Sequence, residues 1–374
     1  MVASAIDIAA PRSRLRRMKP LRSVALAALL AACSQPSAPQ GPAEVQVSTD
    51  LNPAMVDTAL SLAARNGGPR GERVAGMKAG VSALAGPAGA PVGGAERAPS
   101  PSAAGDVRWD AEPYGAIAAA AKGELLPAPA TASDVPPLWK DPGGTWVAVG
   151  GRAVVLLFST DQVKEHGAPA RFTALTESWL KGKVALPAPT GGMALAHFAA
   201  LYAAWGAERM EAWLKQLKAN EPQVYATDAD VRQAVVDGRA AVGMLSSDEA
   251  AKAAASAARV QILYPNQKSI GTFVWPTALS VPKSAKNQGA AKKLAERLAD
   301  RGTEQLLVAR VPGYLPLRPD IPVPPGVSSA ANLVVVSVDP ARIVSEIGQR
   351  KAALAAWTDS IPKPSAQAAQ VQSR

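Results

Sequence analysis

From Gln223 to Ser247 the chain reads QVYATDADVRQAVVDGRAAVGMLSS. A short apolar run gives way to a stretch of helical period, then a glycine, then a second apolar run. This strand–helix–strand unit recurs along most of the chain, and no other feature limits the fold as strongly. Apolar runs of strand length lie at 44–50, 106–109, 145–160, 183–186, 240–247, 260–265 and 271–282. Segments of helical period lie between and around them at 52–65, 112–126, 171–182, 190–206, 208–220, 228–238, 287–310 and 340–357. Strands alternating with helices predict an α/β fold with largely parallel sheets. Ligands in such sheets bind beyond the carboxyl ends of the strands, where loops enter helices.

Two regions break the pattern. Residues 66–105 are poor in large apolar residues and rich in Gly, Ala and Pro, which reads as loop by composition. The other is the front end. Leu21–Ala32 is an apolar run, interrupted by Arg22 and Ser23, that follows the basic residues Arg12, Arg14, Arg16, Arg17 and Lys19 and is closed by Leu30-Ala31-Ala32-Cys33. It is too short for a bilayer, which needs roughly 20 apolar residues, and fits the core of a secretory signal. Small residues before Cys33 and a Ser/Pro/Gln-rich tether at 34–43 point to a bacterial lipobox, with Cys33 lipidated. An ordinary signal peptide with a chance cysteine is the alternative. Met18 is a second candidate start, directly before Lys19. Residues 361–374 read as a polar tail.

Cys33 is the single cysteine of the 374 residues. Used as an anchor, it leaves no thiol for catalysis, redox chemistry or thiolate metal sites. The formal net charge of +10 falls to about +5 once the leader, with six basic residues and one acidic, is set aside. No basic tract follows the leader, so nucleic acid is not an expected partner. A modest positive charge suits an anionic ligand. There are two histidines, His166 and His197. The first lies in a turn-like, solvated KEHGAP, and the second in a helix where packing is the simpler role. P-loop, GxSxG, HExxH and CxxC motifs are missing from the sequence. No catalytic residue, cofactor or resident metal is expected.

Three strand-to-helix junctions carry candidate ligand groups. Thr190, Gly191 and Gly192 open a helix whose free N–H groups and positive dipole end suit an anion. Plain capping is the competing role. Asp228 opens another helix, with Arg232 one turn on. Ser246, Ser247 and Asp248 end a buried strand and start a third. Arg152 follows Gly150-Gly151 inside an apolar strand and needs a partner, either a protein carboxylate or a ligand anion. Glu112 follows a strand end, where it binds a cation or starts its helix. Asn52 is an N-cap, with Pro53 at the first helical position.

The order of these segments resembles the ferric-iron/phosphonate-type periplasmic substrate-binding proteins of ABC importers, a branch of extracellular solute-binding family 1. The resemblance is carried by VQVSTDLNPAMVDTAL, DVRWDAEPYGAIAAAAKGELLPAPA, DPGGTWVAVGGRAVVLLFSTDQV, LTESWLKGKVALPAPTGGMALAHFAALYAAWG, KQLKANEPQVYATDADVRQAVVDGRAAVGMLSSDEA and GYLPLRPDI, which together cover most of 44–320. It implies a type II periplasmic-binding-protein-like fold with two lobes, each a mostly parallel sheet flanked by helices, and closure about a hinge. The first lobe is expected from 44–151 and 271–318, the second from 152–270 and 319–360. The partners implied are a small-molecule or anionic ligand and an ABC permease of the inner membrane. A monomer is expected, held at the periplasmic or cell-surface side of a membrane by its lipid. In iron-binding members a tyrosine pair ends the strand matching AVGMLSS; here Ser247 and Asp248 stand there. The histidine of their first loop falls near Asn52, and their acidic ligand near Glu112. The rival expectation is a lipoprotein that keeps the fold for a structural or assembly role, without a ligand.

Overall fold

The computed structural model describes residues 45–75, 105–256, 259–324 and 327–363. The leader with Cys33, Met18, the tether and all but the first three residues of the tail lie outside the described residues.

Two mixed sheets organise the chain. The first has the order β2-β1-β3-β11-β4, built from β1 (Val45–Thr49), β2 (Gly71–Ala75), β3 (Val107–Asp110), β4 (Trp146–Val147) and β11 (Ala278–Ser280). The second has the order β10-β5-β8-β6-β7, with β9 also on β5. Its strands are β5 (Gly151–Ser159), β6 (Val184–Pro187), β7 (Gln223–Tyr225), β8 (Val242–Ser246), β9 (Val260–Leu263) and β10 (Val274–Pro276). Alternate residues of β1 and β3, Val45, Val47, Val107 and Trp109, are fully buried against helices.

The expected two-sheet α/β architecture is present, but the sheets are less parallel than expected. β1 pairs in parallel with β2 and β3, and β6 with β7 and β8. β5 runs antiparallel to β8, β9 and β10, and β11 antiparallel to β3 and β4. β5 follows β4, and β11 follows β10, without an intervening helix, the chain passing directly from one sheet into the other each time. These are the strands that carry the chain from one sheet to the other. The first passage is at Gly150-Gly151, and the return is at Thr277, inside the 271–318 segment.

Nine α-helices flank the sheets among the described residues: α1 (Pro53–Arg65), α2 (Tyr114–Ala121), α3 (Gly192–Trp205), α4 (Ala207–Ala219), α5 (Asp228–Val236), α6 (Ser247–Ser256), α7 (Gln288–Leu298), α8 (Arg301–Arg310) and α9 (Pro340–Asp359). Local chemistry sets their starts. Asn52, Thr227, Asn287, Asp300 and Asp339 each accept a backbone N–H of the first turn. Asp300 also splits the expected 287–310 helix in two. The helix expected across 171–182 is instead two 3-10 turns, Phe172–Thr176 and Ser178–Leu180. There the Thr176 hydroxyl donates to the Thr173 carbonyl and Glu177 is extended, a local bond competing with the helical ladder. Within the loop-like 66–105, GERVA forms β2 beside β1; residues 76–104 lie outside the described residues.

The two passages are bound into one crossover. Thr277 Oγ1 donates to the Val149 carbonyl at 3.0 Å and accepts from Val149 N at 3.2 Å. Tyr314 OH donates to the same Val149 carbonyl at 2.7 Å, and Gly151 and Leu315 exchange both backbone bonds. Gly150 has φ +69°, and a Cβ there would lie 2.2 Å from Tyr314 Cε1.

His197 of α3 is buried among Phe172, Phe273 and Phe198, at ring-centroid distances of 4.8, 5.4 and 6.1 Å. Neither ring nitrogen has a hydrogen-bond partner among the described residues. Burial pushes the imidazole down to about 3. A depressed base is neutral in the fold but takes up a proton in the unfolded chain, so its stabilisation is lost as pH falls from about 6.5 through about 3. His197→Phe is therefore expected to remove the part of the acid destabilisation that begins below pH ~6.5. At pH 7.5 its stability should stay within roughly 1–2 kcal/mol of wild type, because two buried unsatisfied polar atoms leave with the ring. Urea midpoints measured from pH 4 to 8 check both statements.

Candidate functional site

The carboxyl ends of the parallel strands of both sheets face one cleft of about 630 Å³. Five helices begin around it. Asn52 caps α1, Ala111 and Glu112 precede α2, Met193 stands in the first turn of α3, Asp228 opens α5 and Asp248 stands in the first turn of α6. The positive ends of five backbone dipoles thus converge, and acidic or amide side chains answer four of them.

Of the ten ligand residues expected from sequence, the cleft brings together Asn52, Glu112, Arg152, Asp228 and Asp248. Asn52 Oδ1 accepts from Ala54 N, so it caps and lines at once. Glu112 is buried. Arg152 Nη1 and Asp248 Oδ2 are 3.9 Å apart, with side chains 22% and 23% exposed. Arg152 Nε and Asp248 Oδ1 are both buried without a hydrogen-bond partner among the described residues. The protein carboxylate and the ligand anion offered as alternatives for Arg152 are therefore compatible. The aspartate is present, but it leaves the guanidinium partly unengaged. Asp228 Oδ2 accepts from Ser246 N at 3.1 Å. Burial raises the Asp228 carboxyl above its usual range; its bonds to Ser246 oppose this, Asp248 adds to it and Arg152 opposes it.

The other five residues do not line the cleft. Ser247 is a structural pin, its hydroxyl donating to the Gly313 carbonyl at 2.6 Å and accepting from Ala153 N at 3.0 Å. Ser246 lines a crevice of about 10 Å³ with His197, Met193 and Asp228. Thr190 and Gly192 are exposed at the start of α3, and Gly191 is its N-cap without a side-chain bond. Met193, next in line, is the residue of that turn that reaches the cleft. Arg232 pairs with Glu249 at 3.0 Å, tying α5 to α6.

Sequence reasoning missed Asp50, Lys252, Arg310 and Tyr314, which also line the cleft. Lys252 was within reach, because it follows Asp248 by four residues on the same helix face. It pairs with Glu249. Arg310 ends α8 as an exposed cation. Asp50 Oδ1 accepts from Ala111 N at 2.7 Å, which holds the two first-sheet loops together. Behind it Asp110 is pushed up to about 7 by burial, opposed by Arg108 and reinforced by Asp50. Tyr314 gives the cleft its ring edge, while its hydroxyl is taken by Val149; burial raises its phenol well above the usual value.

The family model described as "Bacterial extracellular solute-binding protein" matches residues 120–339. Iron uptake protein A1 of Synechocystis sp. is 28% identical over 186 residues, covering 47% of this chain and 51% of that protein. The chain thus spans about half the length of the curated relative it matches. Among solved structures, iron-bound HitA from Pseudomonas aeruginosa is similar with a TM-score of 0.69 at 20% identity, over 84% of this chain and 99% of that one. The periplasmic binding protein AfuA from Actinobacillus pleuropneumoniae, with exogenous fructose-6-phosphate bound, is similar with a TM-score of 0.65 at 16% identity, over 85% and 98%. Identities this low carry the fold alone, and that fold is the two-lobed type II binding-protein architecture.

Proposed function

Because the chain belongs to the bacterial extracellular solute-binding protein family, we propose that it captures a small organic or phosphorylated anion in the Arg152 cleft and delivers it to an ABC permease. The role is binding for transport, not catalysis. One observation carries the ligand class: the guanidinium of Arg152 faces the cleft with Nε unpartnered among the described residues, and its ion pair with Asp248 spans 3.9 Å. A committed charge-assisted pair sits at ~2.7–2.9 Å. Lys252 and Arg310 line the same cleft, and the N-terminus of α3, which has no acidic residue in its first turn and no side-chain cap, adds positive potential there.

The first lobe would comprise 44–151 and 277–318, the second 152–276 and 319–360, with the boundary at 277 and not 271 because β10 pairs with β5 in the second sheet, and closure would run about the Val149–Gly151, Thr277 and Tyr314 crossover. A lipid anchor at Cys33 belongs to the same reading. It is supported by the leader sequence, in which a short apolar run and small residues precede the cysteine.

A second reading, ferric iron as cargo, is favoured by the names of the relatives: an iron uptake protein and an iron-bound HitA. The donor set weighs against a bare ferric ion. β8 runs into Ser246, Ser247 and Asp248 where a tyrosine pair is expected. Tyr314 spends its hydroxyl on Val149. Among the described residues no three His, Cys, Asp or Glu side chains gather to hold a metal. A ferric chelate, bringing its own anionic groups, would meet Arg152 as an organic anion does.

A melting-temperature screen tests the proposal. A ligand at a hundredfold excess over its Kd stabilises the native state by roughly 2.7 kcal/mol. Small carboxylates, phosphate esters, ferric citrate and ferric chloride make up the panel. A saturable rise with one or more organic acids or phosphates supports the anion reading. A rise with ferric chloride alone, with visible charge-transfer colour, supports iron instead, and silence across the panel supports a structural lipoprotein.

A further inference from the structure

Arg152 and Asp248 stand side by side on the cleft floor, each with hydrogen-bonding capacity left over. Arg152 Nε lacks an acceptor and Asp248 Oδ1 lacks a donor among the described residues, though both atoms are buried. More than about 90% of buried polar groups in native proteins find a partner, so two orphans on neighbouring side chains in one cleft ask for an explanation. Asp228 adds a second carboxylate on the same side, with Oδ2 held by Ser246 N. Asp248 is the carboxylate paired with Arg152, at 3.9 Å, and Asp228 feels both charges from the same cleft wall.

A plain anion meets half of this arrangement. Both atoms lie just under the cleft surface, so a ligand engages them as the two side chains turn toward it; an anion on Arg152 then satisfies Nε, but it leaves Asp248 Oδ1 without a donor and sets a further negative charge beside Asp248 and Asp228. A plain cation does the reverse. A molecule carrying both groups close together satisfies both orphans and balances the charge. Resting on the small-anion reading of the cleft, we infer that the ligand is a small acid bearing a hydrogen-bond donor, hydroxyl or ammonium, next to its acid group. The acid sits on Arg152 and the donor on Asp248, facing Asp228. Ser247 fixes this pair by tying the start of α6 to Gly313 and to the Ala153 N–H beside Arg152.

Calorimetric titration of the full chain with matched phosphates tests the inference. Glycerol 3-phosphate against propyl phosphate isolates the hydroxyl, and 2-aminoethyl phosphate against ethyl phosphate isolates the ammonium. The donor-bearing member of one pair is expected to bind at least about tenfold more tightly than its partner. Asp248→Ala should erase that preference. Asp248→Asn should erase it for the ammonium yet keep it for the hydroxyl, because the amide oxygen still accepts. Circular dichroism of both variants confirms that they fold. Equal affinity within both pairs, or a preference that survives Asp248→Ala, overturns this inference and leaves anion capture standing. No binding by any of the four, with the small carboxylates of the melting-temperature screen equally silent, overturns both.

Discussion

Arg318→Ala is expected to lower the unfolding free energy by about 3–5 kcal/mol, the largest loss of any single change discussed. The Arg318 side chain is fully buried, as is that of its partner Glu304. Its Nη1 donates to Glu304 Oε2 at 2.6 Å, its Nε to Asp134 Oδ1 at 2.7 Å and its Nη2 to the Ala299 carbonyl at 2.6 Å. Glu304 Oε1 in turn accepts from Leu317 N at 2.6 Å. One guanidinium therefore fastens the segment after Tyr314 to α8 and to the loop holding Asp134. Removing it strands a carboxylate in the core, and that stranded charge is the main part of the cost. The double variant Arg318→Met with Glu304→Gln should recover a substantial share of the loss, since it removes both charges and keeps an acceptor for Leu317 N. Urea unfolding of the two variants decides the matter. A loss under about 1 kcal/mol for Arg318→Ala would mean that the pair contributes no more than a surface one.

Gly150→Ala is the second large effect, at about 2–5 kcal/mol. Two costs add there. An L residue at φ +69° costs about 1–2 kcal/mol. The new Cβ would also lie 2.2 Å from the Tyr314 ring, and overpacking typically costs about 1–3 kcal/mol more. The ring cannot retreat freely, because its hydroxyl is bonded to Val149. Gly144→Ala separates the two costs, having the same φ of +69° with no heavy atom within 4 Å of its Cβ. It should lose only the backbone part. Equal losses at the two positions would show that Tyr314 yields, and that the crossover is softer than its hydrogen bonds suggest.

These two predictions also mark what the sequence could and could not say. Alternating strands and helices were legible, because burial writes period 2 or 3.6 into the residues of each element. Gly150-Gly151 stood out inside an apolar run, and it does mark a passage between sheets. What periodicity cannot carry is pairing direction: nothing in VAVGGRAVVLLF says that β5 will run against β8. The GERVA strand was hidden because it has a single clearly apolar partner for β1 in a glycine-rich setting. Asn52, Glu112, Arg152, Asp228 and Asp248 were legible as strand-end and helix-start residues, which is where such folds gather ligands. That Ser247 lies off the cleft was not legible, because a hydroxyl at a helix start looks the same whether it faces a ligand or a backbone carbonyl 66 residues away. Arg318 gave no signal, since an arginine in LPLRPD reads as a surface turn residue until Glu304 is brought beneath it.

On the function proposed above, Arg152 serves the ligand and not the core. Arg152→Ala tests it through two readings on one protein, the apo unfolding midpoint and the affinity for the anion found in the screen. Asp248 is part-exposed and 3.9 Å from the guanidinium, so the apo protein should lose less than about 1 kcal/mol. Affinity should fall by about 1.5–3 kcal/mol, the worth of a charge-assisted hydrogen bond, or roughly ten- to hundredfold. A large drop in midpoint with unchanged affinity would contradict the account and make Arg152 a structural partner of Asp248.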